Sequence, residues 1–150
     1  MSIRLITFDL DDTLWSVQPV IRAADDSLRV WLAHHATRLD ALTSERLQQL
    51  RSEVVQQQPE LERRVSELRY QVLLRALLQA GYAQSEAQEM AAQAFQVFLA
   101  ARQNVELFAD VLPTLEQLRR RYMLAALSNG NADVRRVGLG GYFSFALNAD

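Results

Sequence analysis

Apolar residues along the chain fall into successive patterns, and the changes between them set the order of elements. Ile3 to Phe8 is a short apolar run, rich in β-branched and aromatic residues, that stops abruptly at Asp9; it predicts a buried strand. From Val17 the spacing becomes helical, with Val17, Val20, Ala24, Leu28, Trp31 and His35 three or four apart. Leu47, Leu50 and Val54 mark a second stripe. Pro59 sits where a first helical turn tolerates proline, Leu61, Val65, Leu68, Val72 and Ala76 continue the period, and Gly81 supplies a stop. Ser85 and Gln88 make a capping-box pair ahead of a fourth stripe at Ala87, Met90, Ala94, Val97 and Ala101. The span from about 16 to 108 therefore reads as four amphipathic helices without a strand.

Beyond Asp110 the pattern changes again. A helix from about Val111 turns Leu115 and Leu118 inward and ends in Arg119, Arg120 and Arg121, where positive charge suits a helix C-terminus. Met123 to Leu127 predicts a second strand, broken at Ser128-Asn129-Gly130. A short helix is expected from about Ala132 to Val137, punctuated by Gly138, Gly140 and Gly141, and Phe143, Phe145 and Leu147 alternate as a third strand. Strand, long helical insert, helix, strand, helix, strand is an α/β arrangement of parallel strands interrupted early. There is no internal repeat and no low-complexity segment.

Composition narrows the class. Of the 150 residues, 49% are apolar and 23% charged, with a net charge of −2, which is a globular chain with enough apolar side chains for a core. No apolar run approaches the roughly 18 to 20 residues of a membrane span, and Met1-Ser2-Ile3-Arg4 lacks the layout of a signal peptide, so a cytoplasmic location is expected. The absence of cysteine excludes disulfides, thiol catalysis and zinc–thiolate sites. All 16 basic residues are arginines.

Chemistry concentrates at two loops. Asp9, Asp11 and Asp12 place three carboxylates within four residues at the carboxyl end of the first strand, the end where open α/β sheets bind ligands. Such charges repel, so a cation, a proton or wide exposure must relieve them. Hard oxygen donors of this kind suit Mg²⁺ together with a substrate phosphate, although an acidic turn facing solvent is an equally ready reading of this loop taken alone. Ser128-Asn129-Gly130-Asn131 follows the second strand and offers a hydroxyl, an amide and backbone N–H groups to an anion at an expected helix start. An ordinary turn would account for that loop by itself; the pair at one sheet edge describes a phosphate held against a magnesium.

Phe8-Asp9-Leu10-Asp11-Asp12-Thr13-Leu14 resembles motif I (D-x-D-x-T) of the haloacid dehalogenase superfamily of phosphohydrolases, and Ser128-Asn129-Gly130 resembles its motif II. The resemblance implies a Rossmannoid parallel-sheet core made of residues 1–15 and 111–150, with a four-helix cap of the C1 type inserted at 16–110. Ser128 to Asn131 followed by Gly138-Leu139-Gly140-Gly141-Tyr142-Phe143 is similar to the bacterial branch acting on flavin mononucleotide, pyrimidine nucleotides and a ribitylaminouracil phosphate. By resemblance, Asp9 is the nucleophile and Asp11 the general acid–base. Asp9 and the main-chain carbonyl of Asp11 hold Mg²⁺, Thr13 braces the loop, and Ser128, Asn129 and Gly130 bind the phosphoryl group. Asp12 is a loop residue without a necessary chemical role. A halide leaves without a proton, so a carboxyl at position 11 favours phosphatase over dehalogenase chemistry.

The family pattern also leads one to expect a lysine and an acidic pair after the third strand, and the chain has neither. Losing one charge-stabilising donor costs about 10²- to 10³-fold in rate. The expectation is therefore the N-terminal part of a longer phosphatase for small phosphomonoesters, such as a flavin or pyrimidine nucleotide or a sugar phosphate, with the core incomplete at its C-terminus and this chain nearly inactive. The rival expectation is a non-catalytic remnant that serves association, as in a homodimer. Neither a nucleic acid nor a membrane is expected as partner: on a net-acidic chain Arg119 to Arg121 read as a dipole-matched helix end. Trp15 reads as a packing aromatic ahead of a site-closing one, and Arg69, beside Tyr70, as a solvated arginine ahead of a substrate contact. His34 and His35, at a helix end, are not expected to bind metal.

Overall fold

The computed structural model describes residues 3–40 and 42–148. Three short strands pair in parallel in the order β1-β2-β3: β1 is Leu5–Phe8, β2 Met123–Ser128 and β3 Phe145–Asn148. Register sets Phe8 beside Ala126 and Ser128 beside Asn148, so the carboxyl ends of all three strands lie along one edge. The chain forms two compact units, one from the residues up to Ile21 together with those from Arg102 onward, the other from Arg22–Ala101.

In the first unit the sheet packs its inner face on α5 (Val111–Leu118) and on the loops around it. Leu10, Leu14, Trp15, Val111, Leu115, Leu124, Leu139 and Phe143 form the buried cluster, and the Phe8 ring meets the edge of Phe143 at 6.1 Å between centroids. Only β2 has a run of buried residues, Leu124 to Ala126. The expected burial of β1 is not met: Leu5 and Thr7 are exposed while Ile6 and Phe8 are half-buried, because β1 pairs along one side and packs on one face. The helix expected over 132–137 is likewise replaced by a single turn. Val137 N–H bonds the Asp133 carbonyl and Leu139 N–H the Val134 carbonyl, and Gly138 at φ +85° ends it. One turn fixes too few hydrogen bonds to propagate, and a left-handed glycine terminates it.

The second unit is helical: most of α1 (Val17–His35), then α2 (Ser44–Gln57), a 3-10 helix at Pro59–Arg63, α3 (Val65–Gln79) and α4 (Gln84–Ala101). Thr43 caps α2, its hydroxyl oxygen accepting from Arg46 N–H at 3.2 Å. The stripe read as continuous from Pro59 to Ala76 is divided at Arg64, where φ −106° and ψ 81° leave the helical region. α3 is the central helix, with Leu68, Val72, Leu73, Leu74, Ala76 and Leu77 buried. It ends as Gly81 predicts: at φ +84°, Gly81 N–H bonds the Leu78 carbonyl and Tyr82 N–H the Leu77 carbonyl, the paired bonds of a Schellman stop. α4 lays Ala87, Ala91 and Ala94 against its neighbours. Ser85 lies inside its first turn and not at the cap, since Ala87 N–H already bonds the Ala83 carbonyl. Among the described residues no helix is long and apolar enough to cross a membrane.

Candidate active site

The loop after β1 is held by its own backbone. The Leu10 carbonyl accepts from Thr13 N–H at 3.2 Å and Leu14 N–H at 2.8 Å, while Leu10, Leu14 and Trp15 anchor the turn in the core. Asp12 takes the left-handed conformation at φ 57°, which aspartate tolerates better than most residues. Its Oδ1 accepts from Val17 N–H at 2.9 Å, so Asp12 serves the start of α1 as a loop residue. Asp9 is left exposed just past the strand, with Oδ1 accepting from Leu10 N–H at 2.8 Å.

Asp9, Leu127, Ser128, Asn129, Leu147 and Asn148 line a cleft of about 490 Å³ along the carboxyl ends of the strands. Ser128 is the last residue of β2, and its Oγ accepts from Gly130 N–H at 3.1 Å, which closes the loop into a tight turn. The two loops singled out in the sequence therefore share one cleft through Asp9, Ser128 and Asn129. Asn148 joins them: the parallel-strand logic that selects Asp9 and Ser128 applies equally to the end of β3, and the alternating apolar residues there drew attention away from it. Thr13 is exposed on the first loop and Gly130 is half-buried; neither lines the cleft. With no helix after Gly130, a helix dipole adds nothing to this loop.

Asp11 points elsewhere. Both carboxylate oxygens accept from Arg102 Nη2, at 2.7 and 2.6 Å, and Oδ1 also accepts from the Trp15 indole N–H at 2.9 Å. Arg102 is 1% exposed, and its Nε and Nη1 are buried without a hydrogen-bond partner. Crowding among the three aspartates is thus relieved for Asp11 by an internal cation 91 positions along the chain. Gly130 makes room for this: a Cβ there would stand 2.7 Å from Asp11 Oδ2. The next residue, Gln103, is also buried and ties down the second loop, donating to the Asn131 carbonyl at 3.2 Å and accepting from Asp133 N–H at 2.8 Å. Sequence reasoning missed Arg102 and Gln103, because a polar pair after a helix carries no periodic signal. Trp15 packs as expected and in addition holds Asp11.

The remaining candidates resolve inside the second unit. Arg69 is not solvated as expected. Its Nη1 pairs with Asp25 Oδ1 at 2.8 Å and its guanidinium lies 3.6 Å from the Phe98 ring centroid. Burial lowers its pKa against the opposing pull of Asp25. His34 and His35 each bond through Nδ1 to the carbonyl four residues back, and His35 stacks on Trp31 at 4.2 Å. Among the described residues no three His, Asp or Glu side chains are grouped as a metal cage.

The parallel α/β core gathers a carboxylate, a hydroxyl and two amides at its strand ends. The chain belongs to the haloacid dehalogenase-like hydrolase family, whose model matches residues 3–150. It is 35% identical over 147 residues to the 5-amino-6-(5-phospho-D-ribitylamino)uracil phosphatase YigB of Escherichia coli K12, covering 98% of this chain and 62% of that protein. The crystal structure of a 2-haloacid dehalogenase from Pseudomonas syringae pv. Tomato DC3000 superposes with a TM-score of 0.94 at 48% identity, over 99% of this chain and 64% of that one. A putative hydrolase of this fold from Bacillus subtilis, YfnB, solved with magnesium, shares the fold at a TM-score of 0.61 and 18% identity, over 99% of this chain and 66% of that one. The chain thus spans somewhat under two thirds of the length of the first two relatives.

Proposed function

We propose that this chain carries the nucleophile and the acid–base group of a Mg²⁺-dependent phosphatase for small phosphomonoesters. The observation that carries the reading is a second carboxyl, Asp11, two residues after the exposed Asp9 at the end of β1. The related proteins named above point to two chemistries, phosphate ester hydrolysis and dehalogenation. Chloride departs unaided, whereas the alkoxide of a phosphate ester needs a proton as the bond to phosphorus breaks. As a proton donor, a carboxyl at position 11 has work to do only in ester hydrolysis.

In the first step an Asp9 carboxylate oxygen bonds to phosphorus as the ester P–O bond breaks, and the Asp11 carboxyl proton goes to the departing oxygen. In the second, water bonds to phosphorus as the Asp9–phosphorus bond breaks, and the water proton returns to Asp11. Ser128 Oγ and the Asn129 amide donate to the transferring oxygens in the cleft they share with Asp9. The Asp9 carboxylate and the Asp11 main-chain carbonyl, both hard oxygens, fit Mg²⁺, which takes one or two carboxylates with phosphate and water. When bound, the metal offsets phosphate charge beside Asp9. The described lining of the cleft contains no cationic side chain, so turnover by this chain is slow, by about 10²- to 10³-fold for one missing donor.

The proposed substrate class is a flavin-type or pyrimidine nucleotide, or a sugar phosphate; the likeness to a phosphatase named for a phosphoribitylamino-uracil supports it. The test incubates the full chain and its Asp9→Asn variant with flavin mononucleotide, uridine monophosphate and 2-chloropropionate, with and without Mg²⁺. Phosphate release that needs both Asp9 and Mg²⁺ is expected. Chloride release without phosphate release would establish the dehalogenase reading in its place.

A further inference from the structure

We infer that Gln103 is a positioning residue for the second loop, holding the backbone past Ser128-Asn129-Gly130 in the conformation that receives a phosphoryl group, an inference that rests on the phosphatase reading for its binding arm. The ladder of β2 ends at Ser128, whose register partner is Asn148, and among the described residues no helix takes up the backbone groups that follow. Gln103 takes two of them. Its Nε2 donates to the Asn131 carbonyl at 3.2 Å and its Oε1 accepts from Asp133 N–H at 2.8 Å. The carbonyl of one residue and the N–H two positions on are the pair that a neighbouring parallel strand satisfies, so one side-chain amide extends the ladder by a step. The amide fits in one sense only, since reversal would set donor against donor and acceptor against acceptor.

Direction is what matters to an anion: backbone N–H groups attract a phosphate and carbonyl oxygens repel it. The Asn131 carbonyl is drawn toward a buried residue that does not line the cleft of Asp9, Ser128 and Asn129, so its negative end is kept out of the phosphate's place. Gln103 is itself fixed. It follows Arg102, which is buried and paired with Asp11, and its own carbonyl accepts from Val105 N–H at 3.1 Å. Two further bonds shape the loop from within: Ser128 Oγ accepts from Gly130 N–H at 3.1 Å, and Asp133 Oδ1 accepts from Arg135 N–H at 2.8 Å. Each spans two residues, so both survive if the loop turns as a body. Gln103 reaches the loop from 28 and 30 positions away and ties it to the core.

The experiment compares the full chain with Gln103→Met, which keeps the side-chain volume and removes both amide bonds. Inorganic phosphate is titrated in the presence of Mg²⁺ while ¹H–¹⁵N NMR follows the Asn129 and Gly130 amides. Gln103→Met is expected to bind phosphate about 10-fold more weakly and to raise KM for flavin mononucleotide by a similar factor with kcat largely kept. A merely structural role would lower the folded fraction, and with it the apparent kcat, at unchanged KM. Phosphate affinity and KM equal to those of wild type overturn the inference. A measurement on wild type alone covers a variant that fails to fold: the Asp133 amide is expected to exchange with deuterium at least about 10-fold more slowly than an open chain, and exchange at the open-chain rate overturns the inference. No phosphate binding by wild type would sink the phosphatase reading. The inference is then decided by the Asn129 and Gly130 resonances, which Gln103→Met is expected to shift or broaden without ligand and which overturn it if they stay in place.

Discussion

Asp11→Ala destabilises the chain more than Arg102→Met does, and the double replacement recovers most of the difference. The asymmetry comes from burial: the Arg102 side chain is 1% exposed and that of Asp11 18%. In Asp11→Ala a guanidinium whose Nε and Nη1 already lack partners loses those at Nη2 and stays out of water. Removing one partner of a buried pair in this way costs about 3–5 kcal/mol. In Arg102→Met the thioether fills the arginine stem's volume, while the carboxylate keeps the Trp15 indole and some water, so the cost is about 1 kcal/mol. With both charges gone the loss is about 1–2 kcal/mol, chiefly the Trp15 hydrogen bond and a small void, which leaves a coupling of about 3–4 kcal/mol. Urea unfolding followed by Trp15 fluorescence in a Trp31→Phe background measures it. At a slope of about 2 kcal/mol per molar, the Asp11→Ala midpoint falls by about 1.5–2.5 M and the double variant regains at least half. A double variant no more stable than Asp11→Ala, or an Asp11→Ala no worse than Arg102→Met, would refute the reasoning.

Two glycines separate backbone strain from contact. Gly138 sits at φ +85° with open space around it, so Gly138→Ala costs about 1 kcal/mol through the backbone alone, whereas Gly141→Ala, equally open and without a positive φ, is neutral or stabilising by a few tenths of a kcal/mol; thermal melts of the pair check this. Arg69→Ala costs about 1–2 kcal/mol by removing the Asp25 pair and the stacking on Phe98, and Arg69→Lys recovers less than half, since an ammonium lacks the planar face. A lysine variant as stable as wild type in denaturant would show that charge alone matters there.

Much of this protein is written in short-range pattern. The helical spacing of Val20, Ala24 and Leu28, the stop at Gly81 and the apolar runs at 5–8 and 123–127 predict elements that form near those positions, because helix and strand periods are local properties of the chain. The family was legible from Asp9, Asp11 and Thr13 at a strand end, since loop chemistry of that kind needs those residues at that spacing. Local pattern failed where the outcome depended on distant partners. The short helix after Gly130 lost to a single turn whose ends are set by Gln103 and Gly138. Trp31 and His35 left the apolar stripe to stack on each other, while Leu32 went inward.

The sequence by itself determined which residues are candidates for the site: a carboxylate at the end of the first strand, a second carboxyl two positions on, and a polar turn after the second strand. Only the tertiary structure decided how they are arranged. It set Asn148 beside Ser128 through strand register, and it brought Arg102 across 91 positions to take Asp11 out of the crowd of aspartates. The physical reason is range. Periodicity and turn chemistry act over a few residues, whereas an ion pair in a desolvated core depends on which segments the whole fold presses together, and no spacing in the sequence encodes that.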